Sequence, residues 1–183
     1  MVRRVLLVAS SVVWLAFSGA SSQVEEGILP PGVKAVWDIE KAYRETTATR
    51  ERICINGLWQ WQPAEPEATQ VPTDGWGYFK VPGPWPGITD YMQKDCQVVY
   101  RHPKWKDVNL RSISAAWYQR TIKIPEGWRD RQIFLQADYV NSYAAVFVDG
   151  SKVGEIIFPA GVVDLAGICE PGKTYKLSIL VVA

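Results

Sequence analysis

The feature that most constrains the fold is a series of short apolar segments joined by tight turns in the last third of the chain. Two of them, residues 144–148 and 151–158, are separated by Asp149-Gly150. An Asp-Gly pair between apolar runs predicts a β-hairpin, because a tight turn of the primed type needs positive φ at both central residues. Further segments of this kind occupy residues 117–125, 133–138 and 175–182. Short strands at this spacing predict an all-β, antiparallel β-sandwich.

The apolar patterns also predict which strands are central. Ile133, Leu135 and Ala137 share one face of their segment, and Gln136 and Asp138 share the other. Residues 143–148 are apolar on both faces, which is typical of a strand buried on both sides. We therefore expect this strand to lie in the interior of its sheet.

The first 20 residues have the pattern of an export signal. Arg3 and Arg4 precede an apolar run, and Ser18-Gly19-Ala20 supplies small residues for cleavage after Ala20. The run is too short to span a bilayer, which takes about 20 apolar residues. We predict a signal peptide over residues 1–20, export to the periplasm or the extracellular space, and no membrane attachment after cleavage. An anchor that stays uncleaved is the alternative.

Length and charge exclude several classes of protein. The chain has 183 residues, with 20 basic and 19 acidic side chains. It has no basic stripe, which excludes a nucleic-acid partner. Cleavage after Ala20 leaves 163 residues, enough for one domain. That is too short for a sandwich followed by a complete (β/α)₈ barrel, which alone takes about 250 residues.

Cysteine and histidine are too sparse for a metal site. Cys54, Cys96 and Cys169 form no Cys-x-x-Cys pair, and His102 is the single histidine. We therefore predict no metal and no cofactor. The three cysteines leave two states open: one disulfide with one free thiol, or free thiols buried in the core.

Residues 21–52 are predicted to form a linker and a short helix. Pro30-Pro31-Gly32 marks the linker. The helix is expected over residues 37–48, with Asp38 as its N-cap and Glu40 and Arg44 as an i,i+4 ion pair. The domain proper is then expected over residues 53–183.

The nine tryptophans suggest contact with sugar rings, because an aromatic face packs well on an apolar surface. Those within predicted strands, Trp59, Trp61 and Trp117, are assigned to the core. Three aromatic residues lie on irregular segments instead, where binding residues often occur. The candidate sugar-binding residues are Trp85, Tyr91 and Trp105.

The remaining charged residues indicate structural roles. Asp149 is explained by its turn, and Asp164 is expected to bond local amides. Asp138 and Glu155 are the other two acidic residues considered, and nothing in the sequence places two carboxylates at one cleft, so we assign no catalytic residue. Arg120 shares a strand face with apolar residues, and we expect an ion pair to stabilise it.

Five segments also occur in a fixed order between residues 53 and 183. They are Asn56-Gly57-Leu58-Trp59, residues 81–85 (Val-Pro-Gly-Pro-Trp), residues 116–120 leading to Ile124-Pro125, residues 146–154, and Asp164-Leu165 followed by Pro171-Gly172 and the last strand. Together they resemble the N-terminal sugar-binding domain of glycoside hydrolase family 2, the group of β-galactosidases, β-glucuronidases and β-mannosidases. Residues 21–52 fall outside the resemblance.

The resemblance implies a galactose-binding-like jelly-roll sandwich that precedes an immunoglobulin-like domain and a (β/α)₈ barrel. In that family two glutamates of the barrel perform retaining hydrolysis, and the acid/base glutamate typically follows an asparagine. This sequence contains no Asn-Glu pair. The resemblance therefore implies a non-catalytic, carbohydrate-binding accessory domain that is cut before the barrel and is incomplete at its C-terminus. The alternatives are a free-standing carbohydrate-binding module and a structural domain of the cell envelope without sugar contact.

Overall fold

The structure is a computed structural model that describes residues 29–86 and 99–183. In this part the chain forms β-strands and two short 3₁₀ helices, Pro103–Trp105 and Glu126–Trp128, which confirms the all-β class. The strands are β1 (Arg44–Thr46), β2 (Glu51–Ile53), β3 (Gly57–Ala64), β4 (Gly77–Val81), β5 (Val99–Tyr100), β6 (Ala115–Lys123), β7 (Phe134–Ala137), β8 (Tyr143–Val148), β9 (Ser151–Ile157), β10 (Gly161–Asp164) and β11 (Thr174–Val182). No helix in the described residues is long and apolar enough to cross a membrane.

The main layer is a seven-stranded antiparallel sheet with the order β5-β4-β3-β6-β11-β8-β9. Strands β6 and β11 pair along nine residues, from Ala115 opposite Val182 to Lys123 opposite Thr174. Strand β11 also pairs with β8, so it joins the two halves of the sheet. The interior position of β8 confirms the expectation from its apolar residues.

The predicted hairpin between β8 and β9 is present. Asp149 has a φ of 46° and Gly150 a φ of 84°, which are the positive values that a primed turn needs. The Asp149 carboxylate accepts a hydrogen bond of 2.8 Å from the amide of Lys176. The turn is thus attached to the start of β11 as well as to its own strands.

A second, smaller layer covers one face of the main sheet. Strands β7 and β10 pair antiparallel, and Leu135 and Val163 point from them into the core. There they pack with residues of β6, β8 and β11, among them Ile122, Val146 and Leu177. The two layers make the predicted β-sandwich.

The opposite face of the main sheet is also covered. Trp117 and Phe147 pack edge to face there, with ring centroids 5.1 Å apart. Ala68, Val71 and Trp76, from the segment between β3 and β4, lie over this face. Both faces of the central strands are therefore removed from water.

The helix predicted over residues 37–48 is wrong. Residues 39–41 form a turn, and Arg44–Thr46 is strand β1, paired with β2. The Asp38 carboxylate accepts from the amide of Glu40 at 3.0 Å, as in a local turn, and Arg44 pairs with Glu51 at 3.3 Å instead of Glu40. An isolated helix of this length is marginal in water, and residues 44–46 pair with β2 instead.

Candidate functional site

Trp85 and Trp105, two of the three candidate sugar-binding residues, lie together in an aromatic cluster at the β4 end of the sandwich. They pack with Trp61 and Phe79. Trp85 is 8% exposed and Trp105 is 5% exposed. Tyr91, the third candidate, lies outside the described residues.

Trp85 is held by a hydrogen bond as well as by packing. Its indole Nε1 donates to the hydroxyl of Tyr118 over 2.6 Å. Tyr118 in turn packs edge to face against Phe79, with centroids 6.0 Å apart. Burial raises the pKa of Tyr118 to about 12. Trp85 thus connects the segment after β4 to the middle of β6.

Trp105 is also fixed in this cluster, by a hydrogen bond and by a ring contact. Its Nε1 donates to the carbonyl of Gly75 over 2.8 Å, and its ring meets Trp61 edge to face at 5.4 Å. A Cβ built on Gly77 would lie 2.5 Å from the Trp105 ring, so glycine is needed there. Both indoles are therefore used in packing. Sugar contact at Trp85, Tyr91 or Trp105 stays a prediction.

Arg120 is the buried charged side chain in the described part of the chain, with an exposure of 5%. Its Nη1 donates to the carbonyls of Ile55 and Asn56 at 2.7 and 2.8 Å, and its Nη2 donates to that of Leu58 at 2.6 Å. The ion pair expected for Arg120 is not found among the described residues, where three backbone carbonyls serve as acceptors instead.

Arg120 is one of the residues that line an open groove of about 370 Å³. One wall is the segment before β1, including Trp37 and Tyr43, and the other is the start of β3. Trp37 is fixed by a hydrogen bond of 3.1 Å from its Nε1 to the carbonyl of Cys54. The guanidinium carbon lies 5.1 Å from the centroid of the Trp59 ring, which forms a cation–π contact.

Sequence reasoning missed a pair of exposed aromatic side chains. Tyr139 is 70% exposed and Phe158 is 55% exposed, and their rings meet edge to face at 6.1 Å. Two backbone hydrogen bonds of 2.8 Å, Val140 to Pro159 and Phe158 to Ser142, hold the two loops together. The sequence feature that could have indicated this pair is Phe158-Pro159, an aromatic residue that directly follows a strand and precedes a proline.

The carboxylates considered for chemistry all have local partners. Asp149 bonds the Lys176 amide, and Asp164 accepts from the amide of Ala166 at 2.8 Å. Asp138 accepts from Gln136 at 2.8 Å. Glu155 accepts from the Tyr143 hydroxyl at 2.9 Å, with Lys152 at 3.2 Å. These contacts agree with the structural roles inferred for Asp149 and Asp164.

The thiols and the histidine of the described residues form no disulfide and no metal-ligating cluster. Cys54 and Cys169 are both free thiols, so they do not form a disulfide with each other, and Cys96 lies outside the described residues. Burial raises the pKa of Cys169 to about 11. His102 accepts a hydrogen bond from the amide of Lys104 at 3.1 Å. No group of three metal-ligating side chains is present in residues 29–86 and 99–183.

The fold is shared with one region of several β-glucuronidases. The chain aligns with the β-D-glucuronidase of Dictyoglomus thermophilum at a TM-score of 0.55 and 21% identity, over 76% of this chain and 21% of that one. With the enzyme of Faecalibacterium prausnitzii the TM-score is 0.55 at 20% identity, over 76% and 22%. With the apo enzyme of Ruminococcus gnavus it is 0.52 at 16%, over 70% and 21%. No family model matches the chain.

These likenesses define the class of protein by fold. The chain is an all-β sandwich protein with the fold of part of these β-glucuronidases, and it spans about a fifth of their length. At such identities the likeness shows the fold alone.

Proposed function

We propose that this chain is the non-catalytic, sugar-binding accessory domain of an exported glycoside hydrolase that acts on β-linked glycosides. The observation that carries the proposal is the fold shared with about a fifth of the length of the β-glucuronidases. The resemblance of five ordered segments to glycoside hydrolase family 2 points to the same group. The partners of the domain would be carbohydrate and the immunoglobulin-like and (β/α)₈ barrel domains of the same polypeptide.

The local bonding of the candidate carboxylates in the described residues supports a non-catalytic role. Retaining hydrolysis needs two carboxyl groups about 5 Å apart at one cleft. In the described residues, Asp138, Asp149, Glu155 and Asp164 each bond local groups. The catalytic glutamates would then belong to the barrel, and the domain would shape the cleft beside it.

The exposed aromatic pair favours a second candidate, a free-standing carbohydrate-binding module. Tyr139 and Phe158 offer two largely exposed rings in a fixed mutual orientation. Rings of this kind can stack on the apolar face of a sugar. In this case glycan binding would depend on these two rings instead of on a neighbouring domain.

The mass of the polypeptide in its native source separates the two candidates. Immunoprecipitation and intact-mass spectrometry should give a mass several-fold above that of residues 21–183. Hydrolysis of 4-nitrophenyl β-D-glucuronide and other β-glycosides should then occur with the native polypeptide and not with this chain alone. A mass equal to that of residues 21–183 would contradict the accessory-domain proposal.

If the chain acts alone, its affinity for a panel of glycans distinguishes a carbohydrate-binding module from a structural domain. A carbohydrate-binding module should lose affinity in Tyr139→Ala and Phe158→Ala and keep it in Phe134→Ala, which removes an exposed aromatic ring from β7. Binding to a protein partner with no affinity for any glycan would favour a structural domain of the cell envelope.

A further inference from the structure

The groove beside Arg120 has the chemistry of a small binding site. It is open to solvent, has a volume of about 370 Å³, and contains charged, aromatic and thiol groups. Trp37 and Tyr43 contribute rings, Cys54 contributes a half-buried thiol, and Arg120 lies beneath them as the buried residue of the lining.

The charges of the groove do not balance. Its charged residues are Lys34, Asp38, Lys41 and Arg120. Asp38 and Lys41 neutralise each other, since their side chains lie 3.3 Å apart. Neither Lys34 nor Arg120 forms an ion pair with a carboxylate in residues 29–86 and 99–183. The groove therefore carries two positive charges that lack a counter-charge from the described chain.

The guanidinium of Arg120 is also incompletely satisfied. Its Nε is buried and has no hydrogen-bond partner among the described residues, while Nη1 and Nη2 are bonded to carbonyl oxygens. Carbonyl dipoles stabilise a buried cation less than a carboxylate does. In agreement, burial lowers the pKa of Arg120 from 12.5 to about 10.

Gly57, which also lines the groove, packs closely against this guanidinium. A Cβ built at Gly57 would lie 3.3 Å from Nη2 and 3.6 Å from Nη1 of Arg120. Because glycine occupies this position, the approach to the guanidinium from the groove is not filled by a side chain of residue 57.

We propose that this groove binds a small organic carboxylate. The carboxylate group would lie between Lys34 and the Gly57 side of the Arg120 guanidinium, and the body of the ligand would contact Trp37 and Tyr43. The two unbalanced charges select an anion, and the aromatic walls select an anion with a flat or apolar body. The proposal does not depend on the glycosidase proposal.

Cys54 gives a direct readout of occupancy, because its thiol lies in the groove wall. The experiment uses the full chain with Cys96→Ser and measures alkylation of Cys54 by iodoacetamide, with peptide mass spectrometry, at constant ionic strength. Benzoate should slow the alkylation by about 5-fold or more and saturate in the low-millimolar range, which corresponds to roughly 4 kcal/mol of binding free energy. Buried Cys169 serves as the internal control for unfolding.

Two variants, a benzoate titration and two control ligands decide the result. Lys34→Gln should weaken the protection by benzoate about 3-fold or more, and Lys80→Gln, an exposed lysine of β4, should leave it unchanged. Unchanged alkylation up to about 50 mM benzoate, far above an affinity of this class, would overturn the proposal. Equal protection by uncharged benzamide would overturn it as well, and equal protection by sulfate would overturn the choice of a carboxylate.

Discussion

At the scale of single residues, the sequence shows that Arg120 needs a partner but not which one. Arg120 shares a strand face with apolar residues, and it is buried. The acceptors are the carbonyls of Ile55, Asn56 and Leu58, more than 60 positions away in the chain. Backbone carbonyls occur at every residue, so no sequence pattern marks these three. The same limit applies to Trp85 and Trp105, whose irregular segments gave no sign of burial.

We expect Arg120→Lys to destabilise the protein by about 2–4 kcal/mol, because an ammonium cannot reproduce three charged hydrogen bonds in a planar arrangement. Urea denaturation measures the change. Arg129→Lys is the matched control, since Arg129 pairs with Glu126 at the exposed surface and should shift stability by less than about 0.5 kcal/mol. Equal effects of the two variants would show that the carbonyl contacts add nothing.

Tyr118 should make stability fall at alkaline pH. Its pKa is raised to about 12 in the folded state, from 10.0. Its contribution is therefore complete below pH 10 and is lost as the pH rises from 10 to 12. Urea midpoints measured across this range should fall less steeply in Tyr118→Phe than in the wild type. Tyr139→Phe, at an exposed tyrosine, should keep the wild-type slope.

At the scale of elements, local patterns predict strands well and pairing between distant strands poorly. The apolar run of β8 and the Asp-Gly turn correctly predict an interior strand and a hairpin. The pairing of β10 with β7 was not predicted, because more than 20 residues separate these strands and neither contains a local pairing signal. The error at residues 37–48 has a different origin, since β1 and β2 lie close together in the chain and their pairing takes the backbone of residues 44–46 out of the predicted helix.

Gly154→Ala should destabilise the protein by straining the contact between β9 and β10. The added Cβ would lie 2.6 Å from Cγ1 of Val163, and overpacking of this kind costs about 1–3 kcal/mol. Thermal or urea denaturation should show this loss. Gly127→Ala is the control, because a Cβ there meets no atom within 4 Å.

Val163→Ala tests whether the clash is the cause. Combined with Gly154→Ala it should leave the protein about 1 kcal/mol more stable than the two single effects added together predict. Simple additivity would assign the effect of Gly154→Ala to backbone propensity instead.

At the scale of the whole molecule, one sheet connects all three apolar clusters. Alternate residues of β6 enter clusters on opposite faces, with Ala116 and Ile122 on one side and Trp117 on the other. The antiparallel sandwich could be predicted from the sequence because strand spacing and turns are local. The groove at Arg120 could not, since it forms between segments whose contact depends on the complete fold.

This shared sheet predicts that the protein unfolds in one step. Tryptophan fluorescence, which reports on indole rings in all three clusters, and far-ultraviolet circular dichroism should give coincident urea transitions. Separate transitions would contradict one-step unfolding.

The position of β11 has a consequence for synthesis on the ribosome. This strand lies between β6 and β8, yet it is the last of the described strands to be made. At a typical 5–20 residues per second, the roughly 50 residues from the end of β6 to Thr174 take about 3–10 s to appear. Once β8 and β9 have been made, the two halves of the sheet exist without the strand that joins them, and the edges of β6 and β8 that pair with β11 stay unpaired until it follows.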